Sequence, residues 1–413
     1  MKNSKKYLPV VLMILASVTA ILSTLYLQQG LFDPNQGDVG LYEWFVRHVT
    51  VGGTPYKDFI VEYPPYALLV FALPWLMGSF DYLLYFMTLV LVLDLGIKLI
   101  LYVIGRKETG PRAFLPLFLY SVTVPFLYFF ILQRFDLWPA LFSLVGILLF
   151  SRKYFALSGA VLAVAVWLKL YPIVIAIPIF VLAWRLGRWK RFLVGGVIAS
   201  LPVLVASYSL PWWRFVAFHG ERGLQAESLY ASVLWMGHFF LPMHMIWLRT
   251  NNWYEVLGFT VALFTPAIKI FWAIMVAYSV YVSSKVLWYN ADAGQTADIS
   301  IEILSRVTLF PILAFVVFAP VLSPQYVIWL LPIAVLSTFR GNIMPAVLIC
   351  VASTMSTLFY PVPNYFGPGL NIWETAALLT RNVLLLSSWI LLWREYRETD
   401  REKKELFDTQ SRA

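Results

Sequence analysis

Between Asp38 and Pro65 the chain reads DVGLYEWFVRHVTVGGTPYKDFIVEYPP, with four carboxylates, Asp38, Glu43, Asp58 and Glu62, in a sequence otherwise poor in charge. Glu43 and Arg47 stand four apart and pair on one side of a helix whose apolar face is Val39, Tyr42, Val46 and Val49. Asp38 opens that helix. There it either caps free backbone N–H groups, worth about 1 kcal/mol, or stands ready to take a proton from an acceptor hydroxyl. Asp58 and Glu62 are either solvated loop charges near the headgroups or members of the same chemistry.

Lys169 is the second candidate. Leu157 to Trp184 carries this single charge, and basic clusters (Arg152 with Lys153; Arg185, Arg188, Lys190 and Arg191) flank it on what the charge rule makes one side. The chain therefore goes in and returns. Each arm is about 20 Å long, shorter than the hydrocarbon, so the turn at Lys169 and Pro172 lies beneath the outer surface. An unpaired lysine at such depth costs about 3 kcal/mol, which calls for a lipid phosphate, snorkelling, or a carboxylate such as Asp136.

The elements that position these groups follow from composition. The chain has 413 residues, 60% hydrophobic, 17% aromatic and 13% charged, where soluble domains carry about a quarter charged residues. It reads as an all-α polytopic membrane protein, a single domain over 1–413. About twelve crossings are expected, near 7–27, 83–105, 113–131, 137–150, 157–170, 172–185, 192–210, 259–287, 305–321, 327–339, 343–359 and 374–393. Both termini then face the cytoplasm, with a tail over 394–413. Outward loops cover about 28–82, 211–258 and 360–373. The first holds the helix from Asp38, stopped by Gly52 and Gly53, and a second juxtamembrane helix opened by Pro64 and Pro65. The basic start and apolar core of the first segment read as an uncleaved anchor.

The net charge of +9 is what insertion of many spans requires and does not indicate nucleic acid. Cys350 is the single cysteine and forms no internal disulfide. Asp94 and Lys98 neutralise each other within one span, whereas Arg381 has no partner nameable from sequence. His238 and His244 lack a helical ligand spacing, so no cofactor is called for and divalent-metal dependence stays open.

The chain resembles the GT-C superfamily of integral-membrane glycosyltransferases, in the branch of polyprenol-phosphomannose-dependent mannosyltransferases and related arabinofuranosyltransferases. The resemblance rests on DVGLY, GGTPYKDF and EYPP in the first loop. It continues through RFD (Arg134–Asp136), KLYP (Lys169–Pro172), RGLQAES (Arg222–Ser228) and SPQYVIWLLP (Ser323–Pro332). It implies Asp38 as catalytic base. It further implies that Lys169, Arg222, Arg134 and Tyr171 hold the donor phosphate, and that Asp58, Glu62, Tyr42, Gln225, Glu227, His219 and Gln325 bind sugar or acceptor.

The implied reaction is inverting. A sugar, mannose or pentose-like, moves from a polyprenyl phosphate donor to a glycan or glycolipid acceptor on the exoplasmic side of the plasma membrane. A phosphate leaves without being protonated, so one carboxylate base suffices, and cations around the departing group become the second requirement. The competing readings are a lipid-linked glycan transporter or flippase, which needs a polar path to the cytoplasmic half, and a glycan polymerase or ligase.

Overall fold

Apolar segments in lipid must satisfy their own backbone hydrogen bonds, and a helix does so within one segment. The computed structural model describes residues 4–26, 38–78, 81–108, 110–243, 245–250, 253–292, 300–356 and 371–410, and it is built of helices. The first half holds α1 (Ser4–Tyr26), α2 (Asp38–Thr50), α3 (Pro65–Met77), α4 (Tyr82–Gly105), α5 (Leu115–Leu132), α6 (Leu137–Ser151), α7 (Phe155–Leu168), α8 (Ile173–Arg185) and α9 (Trp189–Ala206). There follow α10 (Arg214–Glu221), α11 (Leu229–His238) and an antiparallel hairpin of β1 (Ile246–Thr250) and β2 (Trp253–Leu257). The chain continues with α12 (Phe259–Asp292), α13 (Ile301–Val317), α14 (Val327–Leu336), α15 (Met344–Met355) and α16 (Ile372–Gln410).

Each expected crossing coincides with one of these helices. By length and composition, α4, α5, α9, α12 and α16 can cross a membrane, while α3, α6, α7, α8, α14 and α15 are shorter apolar helices. The chain is an all-α polytopic membrane protein. Two features depart from expectation: the hairpin within the second large loop, and α16, which runs on through the expected tail to Gln410. Residues 360–370 of the expected third loop, and His244, lie outside the described residues.

α2 and α3 form as their sequences dictate. The α2 face of Val39, Tyr42, Phe45 and Val46 is buried, and Arg47 pairs with Glu43 at 2.6 Å on the outside. Val49, expected on the buried face, is exposed. The helix ends because Gly52 turns with φ +96°, which disfavours any side chain. Short helices around α7 pack closely because glycines face backbone: a Cβ on Gly195 would run into the Ala156 carbonyl, so α9 lies directly on α7.

The Asp94–Lys98 pair is present within α4 at 2.5 Å, both groups buried, with the Tyr128 hydroxyl donating to the same carboxylate oxygen at 3.1 Å. Lys98→Met leaves that carboxylate buried without its cation, and a loss of about 3 to 5 kcal/mol is expected. Thermal unfolding in lipid nanodiscs should show Lys98→Met clearly destabilised and the double variant Asp94→Leu/Lys98→Met restored close to wild type. Equal melting of single variant and wild type would show that the pair does not stabilise the fold.

Candidate active site

Polar groups in a helical bundle gather where helices end. α5 ends at Leu132 and α6 starts at Leu137; α7 ends at Leu168 and α8 starts at Ile173; α13 ends at Val317 and α14 starts at Val327. Residues at these ends line a cavity of about 600 Å³, together with the start of α2, the 62–64 segment, α10 and the 220–227 segment. The opposite ends of α4, α6 and α8 lead into the basic runs at Arg106, Arg152 and Arg185.

The two large loops brace each other over this cavity. The Tyr56 hydroxyl donates to the Tyr63 carbonyl at 2.8 Å, Arg214 donates to the Tyr56 carbonyl at 3.0 Å, and His219 Nε2 meets the Glu62 carbonyl at 2.8 Å. Asp38 is thereby fixed at the head of α2. Its Oδ1 is paired with Arg134 from the end of α5, and its Oδ2 lies 3.4 Å from both the Tyr42 and Tyr63 hydroxyls. Both charged groups line the cavity, with side chains 17% and 12% exposed respectively.

Lys169 sits in the turn between the 14-residue α7 and the 13-residue α8, the in-and-out geometry expected from its flanking charges. Its ammonium is 2.6 Å from Asp136 Oδ1, which also accepts from Trp329 Nε1 at 2.5 Å. Aromatic rings complete the surround, Phe135 and Trp329 each with centroids 5.0 Å from Nζ, Tyr326 at 5.8 Å and Tyr63 at 6.0 Å. The carboxylate thus compensates a buried cation whose side chain, 17% exposed, still reaches the cavity.

At the far wall, Gln225 donates to the Ser323 hydroxyl at 2.9 Å. Glu227 is buried beside it. Its backbone carbonyl is held from α16 by Arg381 at 2.6 Å and Asn382 at 3.2 Å, which gives the intramembrane arginine the partner sequence could not name. Burial pushes the Glu227 carboxyl up to about 7 and raises Glu62, where Arg222 and Lys169 oppose the shift. Burial and Arg222 press His219 down to about 4. His219 is therefore neutral near pH 7, and because a carbonyl only accepts, its Nε2 carries the proton and Nδ1 remains an acceptor.

Asp38, Glu62, Arg134, Lys169, Tyr171, His219, Arg222, Gln225, Glu227 and Gln325 all line this one cavity. Two of the expected residues do not. Asp58 is solvent-exposed on the loop and accepts from the Thr54 backbone N–H at 2.7 Å, so it serves the turn rather than the cavity. Tyr42 is wholly buried behind Asp38, its ring stacked on Phe71 at 4.0 Å. Tyr171 stacks its ring on Trp329 at 4.3 Å in the cavity wall, with its hydroxyl buried. Asp136 is the carboxylate partner weighed for Lys169 from sequence, whereas no role was expected for Tyr63 or Trp329. Among the described residues no cluster of three or more His, Cys, Asp and Glu side chains is placed to hold a metal ion.

The charges lining the cavity are three cations (Arg134, Lys169, Arg222) and three carboxylates (Asp38, Glu62, Glu227), with Asp136 behind. An entering phosphate is favoured while Glu62 or Glu227 is protonated. Burial raises both carboxyls, Glu227 to about 7, so raising the pH through about 7 ionises Glu227, adds negative charge and weakens binding. Affinity for a prenyl phosphodiester, which does not itself titrate there, should fall by about five- to tenfold between about pH 6 and pH 8. Glu227→Gln should flatten the slope in a calorimetric titration; an unchanged slope would remove Glu227 from the linkage.

No known family model matches the chain, and no curated protein matches it. Among solved structures, the Archaeoglobus fulgidus oligosaccharyltransferase tethered to an acceptor peptide containing the NVT sequon is similar at 12% identity and a TM-score of 0.39, over 96% of this chain and 56% of that one. This chain thus spans little more than half the length of that structure. Similarity of this degree assigns no activity.

Proposed function

We propose that this chain is a GT-C type glycosyltransferase that moves a sugar, mannose or pentose-like, from a polyprenyl phosphate to a hydroxyl of an exoplasmic glycan or glycolipid. The observation that carries this reading is the single cavity shared by the Asp38 carboxylate and the Lys169, Arg134 and Arg222 cations. In the proposed step the acceptor oxygen forms a bond to the anomeric carbon as its proton passes to Asp38. The bond from that carbon to the phosphate oxygen breaks, its electron pair leaves with the phosphate, and the cations receive the added charge. Attack opposite the leaving group inverts the anomeric centre.

Further support comes from the walls. Leu170, Ile173 and Val216 line the cavity yet are 36%, 42% and 50% exposed, an apolar margin suited to a prenyl chain lying in lipid. The basic runs lie at the other ends of the helices, and the positive-inside rule makes this arrangement support an exoplasmic site. Its polar residues come from one end of the bundle, whereas a lipid-linked glycan transporter needs polar groups along the whole path.

Mass spectrometry of envelope glycolipids from cells with and without the protein tests the reading. The expected result is one glycolipid shortened by a single sugar, restored when purified protein in vesicles is given the matching polyprenyl phosphosugar. An unchanged profile together with no transfer from any such donor would overturn it.

A further inference from the structure

Both oxygens of the Asp38 carboxylate are engaged by neighbouring side chains. Arg134 holds one carboxylate oxygen, and the hydroxyls of two buried tyrosines approach the other. A carboxylate engaged on both oxygens is a poor recipient for a hydroxyl proton. Yet Arg134 faces the same space as Lys169 and Arg222, and a guanidinium binds a phosphate through two parallel hydrogen bonds as readily as a carboxylate.

We propose that Arg134 is a cation shared in turn by Asp38 and the phosphate of the donor, so that the donor's arrival draws it away and frees the carboxylate for the acceptor. This rests on the reading given under Proposed function and adds the order of events: donor first, then a competent base. The pull on Arg134 strengthens as the phosphodiester becomes a departing monoester, because the leaving group gains a charge where the guanidinium is waiting. Lys169 is different. Its partner Asp136 is 1% exposed and is also held by Trp329, so that pair stays together as a fixed positive face.

The test is a double-mutant cycle on ligand affinity, read without turnover, using farnesyl phosphate and detergent-solubilised protein at fixed pH and ionic strength. Asp38→Asn removes the competitor and should tighten farnesyl phosphate by about tenfold. Arg134→Gln should weaken it by a similar factor while leaving measurable binding through Lys169 and Arg222. In the Arg134→Gln background, Asp38→Asn should tighten binding by clearly less than in the otherwise wild-type protein, through residual charge repulsion alone.

Equal tightening by Asp38→Asn in both backgrounds would mean simple through-space repulsion and would overturn the sharing, as would no tightening by Asp38→Asn in the otherwise wild-type protein. Failure of the wild-type protein to bind farnesyl phosphate at all would overturn the donor reading, and the sharing with it. Circular dichroism and size-exclusion profiles identify any variant that fails to fold. Arg134→Lys keeps the charge, and in that background Asp38→Asn should still tighten binding; its failure to do so would also count against sharing.

Discussion

Asp38→Asn is expected to give a folded protein that binds the polyprenyl phosphosugar and transfers almost none of its sugar, with kcat lowered by about 10² to 10⁴-fold. The amide keeps the shape of the carboxylate, and its carbonyl can still accept from Tyr42, Tyr63 or Arg134, so the neighbouring rings need not move. What it cannot do is accept the acceptor's proton. The loss should therefore appear in kcat rather than in donor affinity, which by the argument from Arg134 improves. Single-turnover transfer by purified protein in lipid separates these quantities. Full turnover by the variant would remove Asp38 as base.

Lys169→Gln should weaken donor binding by about 10 to 100-fold, the cost of losing a charged hydrogen bond to phosphate at a desolvated site, and should slow chemistry on bound donor by less. The structure adds a second effect that sequence alone did not predict. Without the ammonium, Asp136 is left buried with Trp329 Nε1 still donating to it, and the protein should lose about 3 kcal/mol or more of stability. The two effects separate in Lys169→Gln/Asp136→Asn, which relieves the buried charge. That variant should melt close to wild type and still bind donor weakly. Unchanged donor affinity in a well-folded Lys169→Gln protein would end the phosphate assignment.

Much of this was legible beforehand because hydropathy and charge act locally. The apolar runs became helices, Gly52 ended α2, and the symmetric basic flanks around Lys169 forced a turn at the depth where α7 and α8 now meet. The convergence of Asp38, Lys169, Arg222 and Gln325 on one space was suggested by resemblance, since residues so distant in sequence carry no local signal of contact. Other features depended on tertiary partners. Asp58 and Glu62 are both loop carboxylates by sequence, but only Glu62 lies where α10 folds over it. Tyr42 sits on the apolar face that helical spacing gives it, and its ring completes the aromatic packing with Phe71 and Phe135, although the resemblance makes it a ligand.

Arg381 could not be paired from sequence because it donates to a backbone carbonyl, that of Glu227, and carbonyls leave no mark in composition. The hairpin did leave a mark. IWLRT and WYEVL are aromatic and β-branched runs around Asn251 and Asn252, a turn-forming pair, and that pattern identifies two short strands.

The central claim is that a phosphate is received in the cavity that also holds Asp38. A structure with a non-transferable polyprenyl phosphonosugar bound tests it most directly. The phosphonate should lie within hydrogen-bonding reach of Lys169, Arg134 and Arg222, with Arg134 turned away from Asp38 and the anomeric carbon open to attack on the Asp38 side. A phosphonate seated at the basic opposite end of the helices, with Asp38 still paired to Arg134 and the cavity empty, would contradict the account.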